Sequence, residues 1–261
     1  MMTSIATERD WKAEFEHAYA GRPSAVAERV WREVFGDEYP AGLDPFSAVS
    51  VSELERIAAE VRVAESDTIA DLGCGRGGPG LWVALATGAD LIGIDISSTA
   101  LDAARERATR LGLGGRARFD ERPFEDTGLP DASVDALISI DALLFSTHKA
   151  AALTEFRRIL RPAARLVFTS CDYHRQPAGR PPQVGDHRPL LDAAGFEVLA
   201  YEETDDWHRR ISDTTAGLLE NAAELAMESG QDVETTTEQL REMQATIKCI
   251  RRRVLVVARA S

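Results

Sequence analysis

Eight residues, Asp71-Leu72-Gly73-Cys74-Gly75-Arg76-Gly77-Gly78, hold the densest chemistry in this chain. A short apolar run, Thr68-Ile69-Ala70, leads into them, and a helix-like run, Leu81 to Ala86, follows. Strand, glycine loop and helix in that order set a nucleotide-like ligand against backbone N–H groups. A second acid, Asp95, ends the next apolar run, Leu91-Ile92-Gly93-Ile94, about 20 residues on, where a ribose hydroxyl pair is held. The pattern predicts an adenosine-containing cofactor. The stretch from Gly73 to Gly78 also satisfies G-x-G-x-x-G, which by itself does not choose between cofactors. The charge on Asp71 argues against a pyrophosphate beside it and favours a ligand carrying an ammonium and a sulfonium.

These residues need elements to position them. Residues 7–19 and 24–36 read as amphipathic helices broken at Gly21-Arg22-Pro23, and 51–61 as a third, capped by Ser50 or Ser52. The core then alternates. Strand 67–71 leads to helix 79–87, strand 90–95 to helix 98–111, and a short strand covers 116–119. Strand 134–140 leads to helix 148–160, and strand 165–170 to helix 186–194. Alternation of this kind predicts a mainly parallel sheet with both faces covered. Phe196 to Glu203 and Arg253 to Arg259 read as two last strands, an antiparallel pair at the sheet edge. Between them, 206–250 reads as two helices broken near Gly230, a cap over one end of the sheet. A helical lead of about 60 residues and a terminal strand pair are foreign to a simple dinucleotide domain.

Composition narrows the partners. The chain has 261 residues, 44% hydrophobic and 28% charged, the balance of a soluble globular protein. Its net charge of −13 disfavours nucleic acid as the main partner. Cys74, Cys171 and Cys249 are isolated, which suggests neither a disulfide framework nor a metal site. No charged-then-apolar leader and no membrane-length apolar run is read, so a cytoplasmic protein is expected.

Several motifs in order carry a resemblance. Asp71 to Gly77 resembles the first motif of class I S-adenosylmethionine-dependent methyltransferases, and Gly93-Ile94-Asp95-Ile96-Ser97 their second. Leu129 to Ala136 is similar to the entrance to their fourth strand, and Leu160-Arg161-Pro162 before Arg165-Leu166-Val167-Phe168 to the turn into their fifth. Phe46 to Ser50 resembles the Phe-Ser-x-Val-Ser of small-molecule methyltransferases from actinobacterial natural-product pathways. The resemblance covers 45–204 and the last strand, 253–259. It implies that Asp71 organises the loop near the methionine ammonium, and that Gly73 and Gly75, with Cys74 between them at the cofactor, let the backbone approach it without Cβ atoms in the way. It implies that Asp95 accepts both ribose hydroxyls, that Ile96 packs on adenine, and that Asp141 lines the methionine end through its backbone. The family often has an acid after the third strand to receive the adenine amino group. Here that position is Pro123, followed by Phe124 with its N–H; in another register Glu125 or Asp126 supplies the acid. The usual Pro-Gly-Gly before the fifth strand is Pro162-Ala163-Ala164, and a left-handed alanine there costs on the order of 1 kcal/mol.

Methyl transfer needs alignment and exclusion of water, and an oxygen acceptor gains from a base. His148, His174 and His208 are alternative candidates for it, beside a mechanism with no base; His17 and His187 read as surface. Trp207, Leu218, Leu219 and Met243 either line an acceptor pocket or pack between cap helices, and Trp31, Phe35 and Phe46 carry the same ambiguity. Arg251-Arg252-Arg253 reads as a solvated strand start that pairs with cap carboxylates, with a basic patch as the alternative.

The expected fold is α/β and Rossmann-like, with a seven-stranded, mostly parallel sheet and one antiparallel strand. An N-terminal helical segment, 1–62, precedes a core, 63–261, with the cap insertion at 206–250. The expected function is methyl transfer from S-adenosylmethionine to a small natural-product-like acceptor, most often at oxygen, leaving S-adenosylhomocysteine. A cyclase of the same fold that spends no methyl is the alternative, and an NAD(P)-dependent oxidoreductase a further one.

Overall fold

The computed structural model describes residues 9–21, 23–43 and 47–261. Three helices come first: α1 (Trp11–Tyr19), α2 (Ala25–Phe35) and α3 (Val51–Glu60). Asp10, Ser24 and Ser50 cap them through side-chain oxygens, and Ser50 forms a reciprocal capping box with Glu53. Phe46 and its neighbours 44–45 lie outside the described residues.

The alternating core follows as β1 (Thr68–Leu72), α4 (Gly78–Thr87), β2 (Asp90–Asp95), α5 (Ser98–Arg110), β3 (Ala117–Glu121), β4 (Val134–Ile140), α6 (Lys149–Ile159), β5 (Leu160–Tyr173), α7 (Arg188–Ala193) and β6 (Phe196–Glu203). Next come α8 (Trp207–Glu220), α9 (Ala222–Ser229) and α10 (Val233–Ile247), and β7 (Ile250–Ala260) closes the chain. The seven strands lie in the order β3-β2-β1-β4-β5-β7-β6. β1 to β5 pair in parallel, and β7 is antiparallel to both neighbours, β5 and β6. The order reverses between β1 and β4, and a crevice opens beyond the carboxyl ends of strands at such a switch point.

Strand alternation builds two core layers. Ile69, Leu91, Ile138 and Val167 face Leu54 and Ile57 of α3, Leu81 of α4 and Leu101 of α5. Ala70, Leu72, Leu137 and Phe168 face Leu153 and Phe156 of α6 and Leu191 of α7. With both faces covered, the central strands read as near-continuous apolar runs.

The cap has three helices, not two. Gly230 ends one break in the left-handed conformation, but a second lies at Asn221, whose side-chain amide turns back to donate to the Gly217 carbonyl at 2.7 Å. Leu218, Ala222 and Leu240 pack with Val30 of α2, so the cap joins the N-terminal helices. β5 begins at Leu160, five residues before the expected start, and Ala163 within it has φ of 64°. Among the described residues no helix is long and apolar enough to cross a membrane.

Candidate cofactor site

The glycine loop turns between β1 and α4. Gly73 has φ of 75°, and a Cβ there would stand 2.3 Å from the Ala142 Cβ and 3.1 Å from the Phe124 ring, so glycine keeps this wall open. The N–H groups of Gly73 and Cys74 donate to the Ile94 carbonyl at 2.8 and 3.1 Å, and that of Gly75 to Asp95 Oδ2 at 2.8 Å. The Gly77 N–H donates to the Cys74 carbonyl. The loop therefore spends these donors on itself and β2, where an N–H cradle for a ligand was expected. The start of α4 is also closed: Asp71, buried beneath it, accepts from the Gly80 N–H, and the Leu43 carbonyl crowds Gly78.

A cavity of about 210 Å³ opens beside this loop. One wall carries Gly73, Ile140, Asp141 and Ala142, and another Ile94, Asp95 and Ile96. Arg122, Pro123, Phe124 and Glu125 follow β3, and Phe145, Ser146 and Thr147 follow β4. The roof is α1, whose Trp11, Phe15 and Tyr19 recur every four residues on one helix face. Phe145 meets Trp11 at 5.3 Å and Phe15 at 5.0 Å between centroids. This aromatic stripe was missed in the sequence, although its i, i+4, i+8 spacing was legible there.

Arg76, in the glycine loop, staples the roof. Its guanidinium donates to the carbonyls of Tyr19 and Gly21 and lies 5.3 Å from the Tyr19 ring centroid. Glu16 accepts from the Ser98 and Thr99 N–H groups at the start of α5, and the hydrogen bond from the Thr99 hydroxyl leads in holding its carboxyl down at about 2. Lys12 pairs with Glu121.

Of the nine residues expected at the cofactor, Gly73, Asp95, Ile96, Pro123, Phe124 and Asp141 line the cavity. Asp71, Cys74 and Gly75 lie behind it. Burial first, and then the neighbouring Asp95, push the Asp71 carboxyl up to about 8. Cys74 is buried and its thiol is pushed up for the same reason. Gly75 approaches Tyr19, whose hydroxyl would stand 2.9 Å from a Cβ. Asp95 Oδ1 accepts the Ser97 N–H and Oδ2 the Gly75 N–H, and the Ile96 N–H also supports the carboxylate. Beside Pro123, Phe124 lines the wall and its N–H has no protein acceptor among the described residues. Glu125 also lines the cavity and accepts from the Ser146 hydroxyl at 2.9 Å, whereas Asp126 is exposed and outside it.

Asp141 has φ of 50°, a strained value for a non-glycine residue. What holds it is Arg253, a fully buried guanidinium that donates to both Asp141 oxygens, to Glu53 Oε1 at 2.6 Å and to Thr204 Oγ1 at 3.1 Å. Burial opposes the Arg253 charge, but the two carboxylates outweigh it and hold its pKa above the usual arginine value. This corrects the reading of Arg251-Arg252-Arg253 as a solvated strand start. In β7 alternate side chains face opposite sides, and Arg253 points inward to α3 while Arg252 bonds Asp172 at 2.8 Å.

None of the three histidine candidates lines the cavity. His148 is exposed at the start of α6, where the chain turns outward. His174 is exposed just past β5, its N–H bonded to the Cys249 carbonyl. His208 is exposed on α8 against Trp207. His17 is exposed as read, but His187 is not. It is fully buried, with Nδ1 3.1 Å from Asp172 Oδ1 and Nε2 3.3 Å from Ser170 Oγ. Trp207 donates to Glu203, and Leu218 packs against α2, so these cap residues serve packing. Met243 accepts from the Thr215 hydroxyl at 3.6 Å, and Trp31 pairs with Phe35 at 5.1 Å.

With this geometry in hand, comparison with known proteins decides the family. A methyltransferase-domain profile matches residues 64–239, well over half of the chain. The chain belongs to the methyltransferase family. A methyltransferase of Streptomyces halstedii, GfsG, is 30% identical over 129 residues, covering 49% of this chain and 46% of GfsG. The 27-O-demethylrifamycin SV methyltransferase of Amycolatopsis mediterranei is 26% identical over 170 residues, covering 65% of this chain and 60% of that enzyme. The crystal structure of the [4+2]-cyclase SpnF superposes with a TM-score of 0.69 at 23% identity, covering 79% of this family member and 78% of SpnF, a likeness of fold. The chain spans about half to three fifths of the length of the first curated relatives it matches. Its Rossmann-like sheet, parallel except for β7, is the class I methyltransferase fold.

Proposed function

We propose that the chain holds S-adenosylmethionine in the cavity beneath α1 and methylates an oxygen of a small, natural-product-like acceptor. The observation that carries this reading is the closed start of α4. The Gly73, Cys74, Gly75 and Gly77 N–H groups are already bonded within the protein, and Asp71 lies below the helix. A dinucleotide pyrophosphate needs free donors at this point, since Asp71, protonated up to about 8, supplies no charge of either sign at neutral pH. A cationic ligand without phosphate does not need them.

The residues fit such a ligand. Asp95 would accept from ribose hydroxyls, Ile96 and Phe124 would offer apolar surface to adenine, and the Phe124 N–H would be a donor for a ring nitrogen. Gly73 leaves room for the chain, and Asp141 presents its backbone. S-adenosylmethionine, when bound, supplies a methyl group on sulfonium that is already activated for in-line displacement. The protein's part is then to orient the acceptor and exclude water, which α1 and Phe145 do by closing the cavity with rings. No histidine lines that cavity among the described residues, and this reading assigns the main work to alignment.

The absence of a histidine from that lining leaves room for a second reading, a cyclase that retains its methyl group; the fold-related SpnF is a [4+2]-cyclase. Incubation with a hydroxylated natural-product acceptor separates the two by mass spectrometry. Methyl transfer gives one S-adenosylhomocysteine per product and a product heavier by one methylene. A product of unchanged mass, with the cofactor intact, overturns it.

A further inference from the structure

A buried ammonium stands behind the Phe145 wall of the cavity. Lys149, in the first turn of α6, is 5% exposed and does not itself line the cavity. Its Nζ donates to the carbonyls of Pro182 at 2.7 Å, Ser146 at 2.9 Å and Leu144 at 3.3 Å. An ammonium has three donors and no acceptor, so three carbonyls use it fully. Among the described residues no carboxylate pairs with it, and burial alone holds its pKa down at about 8. The charged groups of the elements around it are committed elsewhere. Glu125, past β3, accepts from the Ser146 hydroxyl, Glu155 of α6 pairs with Arg158, and Asp186 pairs with Arg188 at the start of α7. Arg180 lies against the Trp11 and Phe145 rings, His187 bonds Asp172, and His148, His174 and Arg175 are exposed.

What this ammonium holds is the loop that carries Phe145. Leu144 and Ser146 flank Phe145 in sequence, and its ring lines the cavity against Trp11 and Phe15 of α1. Pro182 belongs to the connection between β5 and α7, which is itself braced. The Gln176 amide donates to the carbonyls of Pro177, Arg180 and Pro181, and its oxygen accepts from the Gln183 N–H at 2.8 Å. The Gln183 amide donates to the Leu144 carbonyl at 2.8 Å. Lys149 thus ties the Phe145 loop to a braced segment. A methionine in its place would bury no charge, so the lysine is held at a cost. Only the charged form serves all three carbonyls: a neutral amine has two donors, and its lone pair would face the third. When the proton leaves, the fold sheds a buried charge while the loop loses one of its ties.

We propose that Lys149 is a positioning residue of the cavity, holding Phe145 against the α1 rings through the carbonyls on either side of it. The hold needs the ammonium, and its effect on ligand binding rests on the cavity being the cofactor site. Isothermal calorimetry with S-adenosylhomocysteine, from about pH 6.5 to 9.5, tests it in the wild type, K149M, F145A and the double variant. K149M binds about tenfold more weakly than the wild type near neutral pH, through loss of charge-assisted hydrogen bonds. The gap narrows as pH rises through about 8, where the wild type gives up its own tie. The ratio of the two proteins cancels the titration of the ligand amine and of Asp71, which falls in the same window. In the F145A background K149M costs nothing further. A gap that stays constant with pH, or that persists in F145A, overturns the proposal, since a merely structural lysine gives both. Trp11 fluorescence of the ligand-free protein reads the same hold without the cofactor. It shows a step centred near pH 8 that is present in D71N and absent in W11F and K149M. No step overturns the proposal even where K149M does not fold. A step without any binding of S-adenosylhomocysteine supports the hold on Phe145 and overturns the cofactor reading alone.

Discussion

At the scale of single residues, two buried titratable groups set the response to pH. Asp71 binds a proton up to about 8 in the folded chain and only up to the usual 3.8 when unfolded. The folded state therefore holds more protons across that window, and stability from this group falls as pH rises through it. Lys149 acts in the next window. Burial holds its ammonium down at about 8 against an ordinary 10.5, so the unfolded chain binds more protons and stability rises from about 8 upward. Melting curves between pH 5 and 10 check both signs: D71N flattens the lower limb and keeps the acceptor for the Gly80 N–H, and K149M flattens the upper. The acids at Asp71 and Asp95 were legible from spacing alone. The partners that give Asp141 and Arg253 their roles were not, because those contacts join residues 112 apart in sequence. A run of three arginines reads as surface until strand alternation sorts it, and His187 reads as surface until Ser170 and Asp172 of β5 close over it.

At the scale of elements, the strands and helices of the core were legible because each carries its own signal. The start of β4 at Val134 and the span of β6 match the pattern to the residue, where apolar runs are bounded by turn residues. The cap was less legible, since Asn221 breaks a helix without the glycine or proline that marks such a point. β5 carries a local cost: Ala163 sits at φ of 64°, where a Cβ is crowded. A163G relieves it and stabilises the protein by about 1 kcal/mol, a rise in Tm of about 2 °C for a domain of this size. A thermal melt shows this, and an unchanged or lower Tm contradicts it. The roof helix α1 contributes differently, since none of its residues is fully buried. Trp11→Ala and Phe15→Ala thus leave the melting temperature within about 2 °C. They weaken binding of S-adenosylhomocysteine by about tenfold, through loss of apolar contact worth about 1.4 kcal/mol. Isothermal calorimetry beside a thermal melt checks the two halves of that statement.

At the scale of the whole molecule, Arg253 ties three regions together at the cavity floor. It joins the capping box of α3 through Glu53, the turn after β4 through Asp141 and the strand leading to the cap through Thr204. Removing the guanidinium leaves two carboxylates facing each other without a cation. R253M costs about 3–5 kcal/mol in urea unfolding, and it frees the strained turn at Asp141, so cofactor affinity falls with it. A loss below about 1 kcal/mol would show that solvent replaces the guanidinium at no cost. The fold gathers the ends of β1, β2 and β4, the glycine loop and α1 around one cavity. The central claim is that this cavity takes a sulfonium nucleoside and no dinucleotide. Isothermal calorimetry of the intact protein with S-adenosylhomocysteine, S-adenosylmethionine, NAD and NADP tests it most directly. The account predicts one-to-one binding of the first two, lost in G73A, and no heat from either dinucleotide. Binding of NAD or NADP with none of S-adenosylhomocysteine would contradict it.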